Sequence, residues 1–185
     1  MFQDLDYNLL LWFNSCHTPS LDAVILFFTS GTTWIPLYLI LVFLICRTFP
    51  RREAFLVIAF AIGCVLITAS VNELLVKPLV ARPRPLFNDA LSGLLQTTPG
   101  FVPSGYSFFS SHAANTSTIA VFITLTFRNC WVTLLMLSYC LLNCYTRLYL
   151  GAHYPSDILV GLTFGTLTAL CMYRVKTGYA RRSLT

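Results

Sequence analysis

"TRLYLGAHYPSDIL", residues 146–159, sits between two apolar runs, and its reading decides the rest. It sets Arg147, His153 and Asp157 within eleven residues of one another. A charge held close to lipid is costly and is usually kept for a function. Gly151 suits the end of a preceding helix, where a left-handed residue closes the last turn. Pro155 suits the first position of the next helix. His153 then stands just ahead of that helix, with Asp157 in its first turn, where the helix dipole favours a carboxylate. From four residues on, Asp157 can hold one ring nitrogen of His153, fix the tautomer and turn the other nitrogen outward. The product is a histidine poised as a nucleophile. A plain helix cap with a hydrogen-bonded surface histidine would use the same residues, so this stretch alone leaves both readings open.

The surrounding composition narrows the choice. The 185 residues are 56% hydrophobic and 10% charged, with a mean hydropathy of +0.71. A soluble domain carries about a quarter charged residues, so the chain reads as an all-α integral membrane bundle. It is long enough for one small domain over 1–185. The net charge of +5 is scattered in short clusters with no stripe to follow a nucleic-acid backbone, which excludes nucleic acid as a partner. The seven cysteines form no CxxC pair and fall mostly inside apolar runs, where they act as small hydrophobes.

Five apolar segments, at 21–46, 53–76, 109–127, 131–150 and 155–174, are expected to be membrane-spanning helices. About 20 helical residues cross a ~30 Å hydrocarbon core, and backbone in lipid must satisfy its own hydrogen bonds. Gly31 and Pro36 are expected to be tolerated inside the first span for that reason. Residues 1–20 carry no basic residue before a short apolar stretch. They are expected to form an interfacial helix, and a cleaved signal peptide is not expected. Arg47, Arg51, Arg52, Arg128, Arg174, Lys176, Arg181 and Arg182 fall on one side if the chain starts outside and ends in the cytoplasm. Lys77, Arg82, Arg84 and Arg147 then sit at outer span ends, against that rule, and an anionic ligand is the simplest reason for them.

This N-out, C-in arrangement brings three polar stretches to one face: "KPLVARPRP" (77–85), "YSFFSSHAANT" (106–116) and the start of 146–159. The outer loop 77–110 carries part of the set. Prolines in 82–85 stiffen a turn bearing two guanidiniums, whose forks match phosphate oxygens. Ser110, Ser111 and His112 open the third span, where backbone N–H groups and hydroxyls can cradle an anion. Each stretch also has an ordinary structural reading: an edge ion pair between Glu73 and Lys77, a packed histidine, a capped helix. Together they supply cations, histidines, a carboxylate and hydroxyls, the inventory of phosphoryl transfer.

On these residues the chain resembles the type 2 phosphatidic acid phosphatase superfamily, integral-membrane lipid phosphatases whose site is related to that of vanadium haloperoxidases. Its signature reads K-x6-R-P, P-S-G-H and S-R-x5-H-x3-D. Lys77 with Arg84-Pro85 matches the first part; Arg147, His153 and Asp157 match the third. Phe109-Ser110-Ser111-His112 matches the second with Phe for Pro and Ser for Gly, and Thr146 replaces the serine of the third. The resemblance implies that His153 attacks phosphorus, Asp157 orients it, and His112 protonates the leaving oxygen and then activates water. It implies that Lys77, Arg84, Arg147, Ser110 and Ser111 hold the phosphate, with no metal or other cofactor. Arg82 has no place in the signature, and "PSGY" at 103–106, lacking the histidine, reads as loop.

The expected function is therefore a metal-independent phosphatase acting on a phosphorylated membrane lipid at the outer face of a bacterial inner membrane. Undecaprenyl diphosphate is the first choice of substrate, with lipid A and phosphatidylglycerol phosphate as alternatives. Competing readings are an anion or lipid transporter, a metalloenzyme with His112, His153 and Asp157 as ligands, and an inactive relative.

Overall fold

The computed structural model describes residues 2–91 and 93–182, and for Arg181 and Arg182, counted above among the basic residues, only the backbone. Among the described residues the chain is helical, with no strand: α1 (Phe2–Asn14), α2 (Pro19–Thr29), α3 (Ile35–Thr48), α4 (Arg51–Ser70), α5 (Lys77–Val80), α6 (Ser111–Phe127), α7 (Cys130–Tyr149) and α8 (Pro155–Arg182). A π-helical turn, Val71–Val76, joins α4 to α5 in one rod. By length and composition, three helical stretches among the described residues could cross a membrane: Gly31–Thr48, Arg51–Phe87 and Pro155–Ala180.

The stretch expected to form one helix over 21–46 is broken. α2 ends at Thr29, Ser30 is extended, and a 3-10 turn, Gly31–Trp34, restarts the chain before α3. Pro36 is the physical reason: it has no N–H to give and its ring crowds the preceding turn, so it is accommodated at the start of α3. The break is sealed by side chains, Thr33 Oγ1 on the Phe27 carbonyl at 2.5 Å and Trp34 Nε1 on that of Phe28 at 2.9 Å. Freed carbonyls at membrane depth need such partners. The break leaves Thr29 at the end of a helix that packs on α7.

α6 is the central helix, packed by α4, α7 and α8. It buries residues all round, Ala113, Ala114, Thr116, Ser117, Thr118, Ala120, Phe122 and Ile123, as a helix with neighbours on every side must. Outer surfaces of the bundle expose large apolar side chains such as Leu39, Phe43, Phe55, Leu66 and Leu167. α1 lies on α7 and α8. It buries Asp6, Leu10 and Asn14 on one face and exposes Phe2, Leu5, Leu9 and Trp12 on the other.

Two ends of the bundle differ. Lys176 near the end of α8 is 3.5 Å from Glu53 at the start of α4. Arg128 after α6 is 3.4 Å from the Tyr173 hydroxyl. At the opposite end α5, the start of α6, the end of α7 and the start of α8 meet, and Gly151, at φ 60°, turns the chain from α7 toward α8.

Close approach of α6 and α8 fixes that meeting. Gly161 and Gly165, one turn apart on α8, face the small residues of α6, and Thr118 Oγ1 donates to the Gly165 carbonyl at 3.1 Å. Small residues at this spacing let membrane helices touch backbone to backbone. A Cβ at Gly161 would meet the Ser110 carbonyl oxygen at 2.7 Å and the Ala113 Cβ at 3.2 Å. Gly161→Val is expected to lower the melting temperature of the purified protein, since overpacking of this kind costs about 1–3 kcal/mol. An unchanged melting curve would show that the helices are not so closely apposed.

Candidate active site

At that end of the bundle a cavity of about 380 Å³ is lined by Thr29, Glu73, Lys77, Arg84, His112, Arg147 and His153, with Phe101, Val102, Pro103, Ser104 and Ser111 closing it. Lys77, Arg84, Ser111, His112, Arg147 and His153, all expected from the sequence to act together, thus face one small space. Asp157 stands directly behind His153.

His153 is 2% exposed and sits in the turn between α7 and α8. Arg84 Nη1 lies 3.2 Å from its Nε2. A guanidinium only donates, so Nε2 is the lone-pair nitrogen and the ring proton resides on Nδ1. Nδ1 faces Asp157 Oδ2 at 3.5 Å. Burial pushes the His153 imidazole down to about 4, with Arg147 and Arg84 adding to the effect and the Asp157 carboxylate opposing it. Its ring is therefore neutral at pH 7, with the unprotonated nitrogen on the side of Arg84.

Asp157 is fully buried in the first turn of α8. Its Oδ2 accepts from Tyr154 N–H at 3.0 Å and from the Ser107 hydroxyl in a short hydrogen bond. The bond back to Tyr154, the residue before Pro155, is half of a capping box. Oδ1 accepts from Arg82 Nη1 at 2.6 Å.

The cations differ in how they are held. Lys77 is paired with Glu73 at 2.6 Å. Arg84, 6% exposed, donates to the carbonyls of Ser104 and Gly105 through Nε, at 2.9 and 3.1 Å, and to that of Ala152 through Nη1, at 3.0 Å. Arg147, equally buried, has only the Thr29 hydroxyl at 2.5 Å and the face of the Phe101 ring at 5.3 Å. Its Nε has no partner, and among the described residues no carboxylate pairs with it. A buried guanidinium without a counter-ion is a demand for an anion.

The serines of the second stretch divide. Ser111 Oγ lies between Asn72 Nδ2 at 2.7 Å and Glu73 Oε1 at 2.6 Å, at the cavity wall. Ser110, expected to hold phosphate, is instead fully buried. Its hydroxyl caps α6 by accepting from Ala113 N–H at 3.4 Å, and its own N–H goes to the Asp157 carbonyl at 3.1 Å. Ser110 stands behind the cavity wall formed by Ser111 and His112, and while its oxygen accepts the capping bond its O–H remains able to donate.

Sequence reasoning also misses three contributors. Thr29 reaches Arg147 only because the first apolar stretch breaks. Ser104 belongs to the "PSGY" segment read as plain loop, yet that segment supplies carbonyls to Arg84 and lines the cavity. Ser107 holds Asp157 across 50 residues of chain. Among the described residues no group of three His, Cys, Asp or Glu side chains is placed to hold a metal ion.

The profile of the PAP2 superfamily matches residues 54–180. The chain belongs to the PAP2 superfamily. It is similar to the lipid A 4'-phosphatase of Bacteroides thetaiotaomicron, at 34% identity over 88% of this chain and 72% of that protein. It is also similar to the lipid A 4'-phosphatase of Porphyromonas gingivalis, at 29% over 96% and 75%. A third relative is the undecaprenyl-diphosphatase of Sulfolobus acidocaldarius, at 28% over 95% and 81%. The crystal structure of Aquifex aeolicus LpxE shares the fold, with a TM-score of 0.66 over 90% of this chain and 93% of that one at 24% identity. This PAP2 protein is an integral membrane lipid phosphatase, a hydrolase of phosphoric esters.

Neutral His153 has a direct test. In a titration of ¹⁵N-labelled histidine by NMR in detergent micelles, its ring should stay unprotonated down to about pH 5, because its folded value is depressed to about 4. Protonation near 6.5, the ordinary histidine value, would show the ring to be hydrated rather than enclosed.

Proposed function

We propose that this PAP2 phosphatase removes a phosphomonoester from lipid A at the outer face of a bacterial inner membrane, through a phosphohistidine on His153. The observation that carries the reading is the Arg147 guanidinium, buried beside His153 at one cavity with an unpartnered Nε and, among the described residues, no carboxylate. A bound phosphate would supply both the missing charge and the missing acceptor.

His153 Nε2 attacks phosphorus as the bond from phosphorus to the lipid oxygen breaks, and Asp157 stabilises the charge that develops on the ring. His112 gives its proton to the departing lipid oxygen. A water then attacks the phosphohistidine, His112 takes the proton from that water, and inorganic phosphate leaves with His153 restored. Lys77, Arg84 and Arg147 hold the non-bridging oxygens, with Ser111 at the wall of the same cavity and the N-terminus of α6 directed toward it. No cofactor takes part in this scheme.

The relatives named as lipid A 4'-phosphatases support lipid A ahead of undecaprenyl diphosphate, the first choice from sequence. The weaker likeness to an undecaprenyl-diphosphatase keeps that substrate as the second reading. The domain is read as 1–185, crossing the membrane five times, N-out and C-in, with α2 and α3 together making the first crossing. Residues 1–20 lie at the interface and 77–110 contribute to the site. Basic residues at the bundle end away from the cavity support this orientation.

Phosphate release by the purified protein in detergent, with EDTA present and His153→Ala alongside, tests the reading. Lipid A, undecaprenyl diphosphate, phosphatidylglycerol phosphate and phosphatidic acid form the panel. Release should be fastest from lipid A, survive the chelator and fall to background in the variant. Faster release from undecaprenyl diphosphate would replace the substrate, and activity requiring an added divalent metal would sink the phosphohistidine route.

A further inference from the structure

Arg82 has no place in the family signature, and its guanidinium turns away from the phosphate cavity that Arg84, two residues on, helps to line. It faces a separate hollow of about 740 Å³ between α1 and α8. Nη1 donates to Asp157 Oδ1 at 2.6 Å and to Ser156 Oγ at 2.8 Å, and Nη2 to Asp6 Oδ2 at 2.8 Å. The guanidinium carbon lies 3.7 Å above the centre of the Tyr154 ring. Tyr7 stacks on that ring at 5.8 Å, and Asn88 joins the two tyrosine hydroxyls at 2.8 and 2.9 Å. Such a guanidinium is fixed by two carboxylates and an aromatic face, and a phosphate would have to displace a carboxylate to reach it.

Asp6 does more than hold Arg82. Its carboxylate accepts from Ser156 N–H at 2.8 Å and from Ser156 Oγ at 2.5 Å. α1 thus caps the first turn of α8, the turn that carries Asp157, with a negative charge at its N-terminus.

We propose that Arg82, tethered by Asp6 of α1, is a positioning residue that sets the orientation of Asp157 and, through it, of His153. The N-terminal helix is then part of the catalytic apparatus. A carboxylate turns about one terminal bond, so fixing Oδ1 on Arg82 also fixes where Oδ2 meets His153 Nδ1, Ser107 and the Tyr154 N–H. Partners of this kind orient an imidazole; around metal-bound histidines their loss costs about 10–100-fold in affinity or activity, and a loss on the same scale is expected here. The inference rests on the reading of His153 as nucleophile.

Steady-state kinetics of the full-length protein on lipid A in mixed micelles test it, using the monodisperse fraction of each variant. Arg82→Ala is expected to lower kcat about 100-fold and Asp6→Ala about tenfold, with KM and the inhibition constant for inorganic phosphate held within about twofold. Millimolar guanidinium should restore at least about a tenth of the lost kcat to Arg82→Ala by refilling the site between the two carboxylates. A merely structural role would change melting temperature and yield without such rescue. Should Arg82→Ala not fold, Arg82→Lys and Asp6→Ala carry the measurement, because one ammonium cannot reproduce the fork that bridges both carboxylates. A kcat within about twofold of the parent in the folded variants overturns the proposal. So does a rise in KM and in the phosphate inhibition constant at constant kcat, which would make Arg82 a phosphate ligand. Retained activity in His153→Ala would instead remove the nucleophile reading itself, whereas an inactive His153→Ala beside undiminished Arg82 variants overturns this inference alone.

Discussion

A single buried carboxylate, that of Asp157, ties together parts of the chain that lie far apart in sequence. Arg82 comes from the turn after α5, Ser107 from the segment before α6, and Tyr154 and His153 from the turn before α8. Its main-chain carbonyl also takes the Ser110 N–H at the start of α6. An ionised carboxylate without water is sustainable only when its lone pairs are filled and a cation is close. Each partner therefore locates its own segment, and the cavity follows from where those segments end. The close packing of α6 on Gly161 and Gly165 sets the distance over which the network has to reach.

Much of this is legible in the sequence, for physical reasons. Arg147, His153 and Asp157 are near neighbours in the chain, and Gly151 and Pro155 mark the turn between them, so their geometry is local. The long apolar runs announce helices in the same way. What escapes is long-range or depends on backbone path. The broken first span turns on whether Pro36 is absorbed as a kink or as a helix start, and composition does not distinguish them. Ser107 and Ser104 act through contacts set by how a long loop folds back, and Thr29 through the break at the end of α2, and no periodicity encodes either. At Ser110 the sequence leaves open whether a serine before a helix caps it or faces a ligand, and in the fold its oxygen accepts the capping bond from Ala113 N–H.

Lys77, Arg84 and Arg147 form a graded series. Lys77 has a carboxylate, Arg84 has three carbonyl oxygens, and Arg147 has a hydroxyl and an aromatic face. An anion entering the cavity gains least from a cation already neutralised and most from one left under-compensated. On the proposed reading, Arg147 would carry the largest share of the attraction, while Arg84, held against the main chain and beside Nε2 of His153, would chiefly set direction. Glu73 limits the positive field of the cavity and keeps Lys77 at its wall.

The departures from the family's second signature stretch are absorbed by neighbours rather than left as defects. Phe109 stands where proline is usual, is 3% exposed, and packs its ring 5.0 Å from that of Phe164 on α8. Its carbonyl accepts from Asn72 Nδ2 at 2.9 Å. Ser111 stands where glycine is usual, and the same Asn72 nitrogen donates to its hydroxyl, which in turn donates to Glu73. A side chain that arrives with a bonded place at the cavity wall need not block it. Asn72 and Glu73 lie on the π-helical turn between α4 and α5, so the extra residue of that turn aims both groups at the start of α6. Altered turn and altered signature stretch thus fit one another where the chain enters the helix that bears His112.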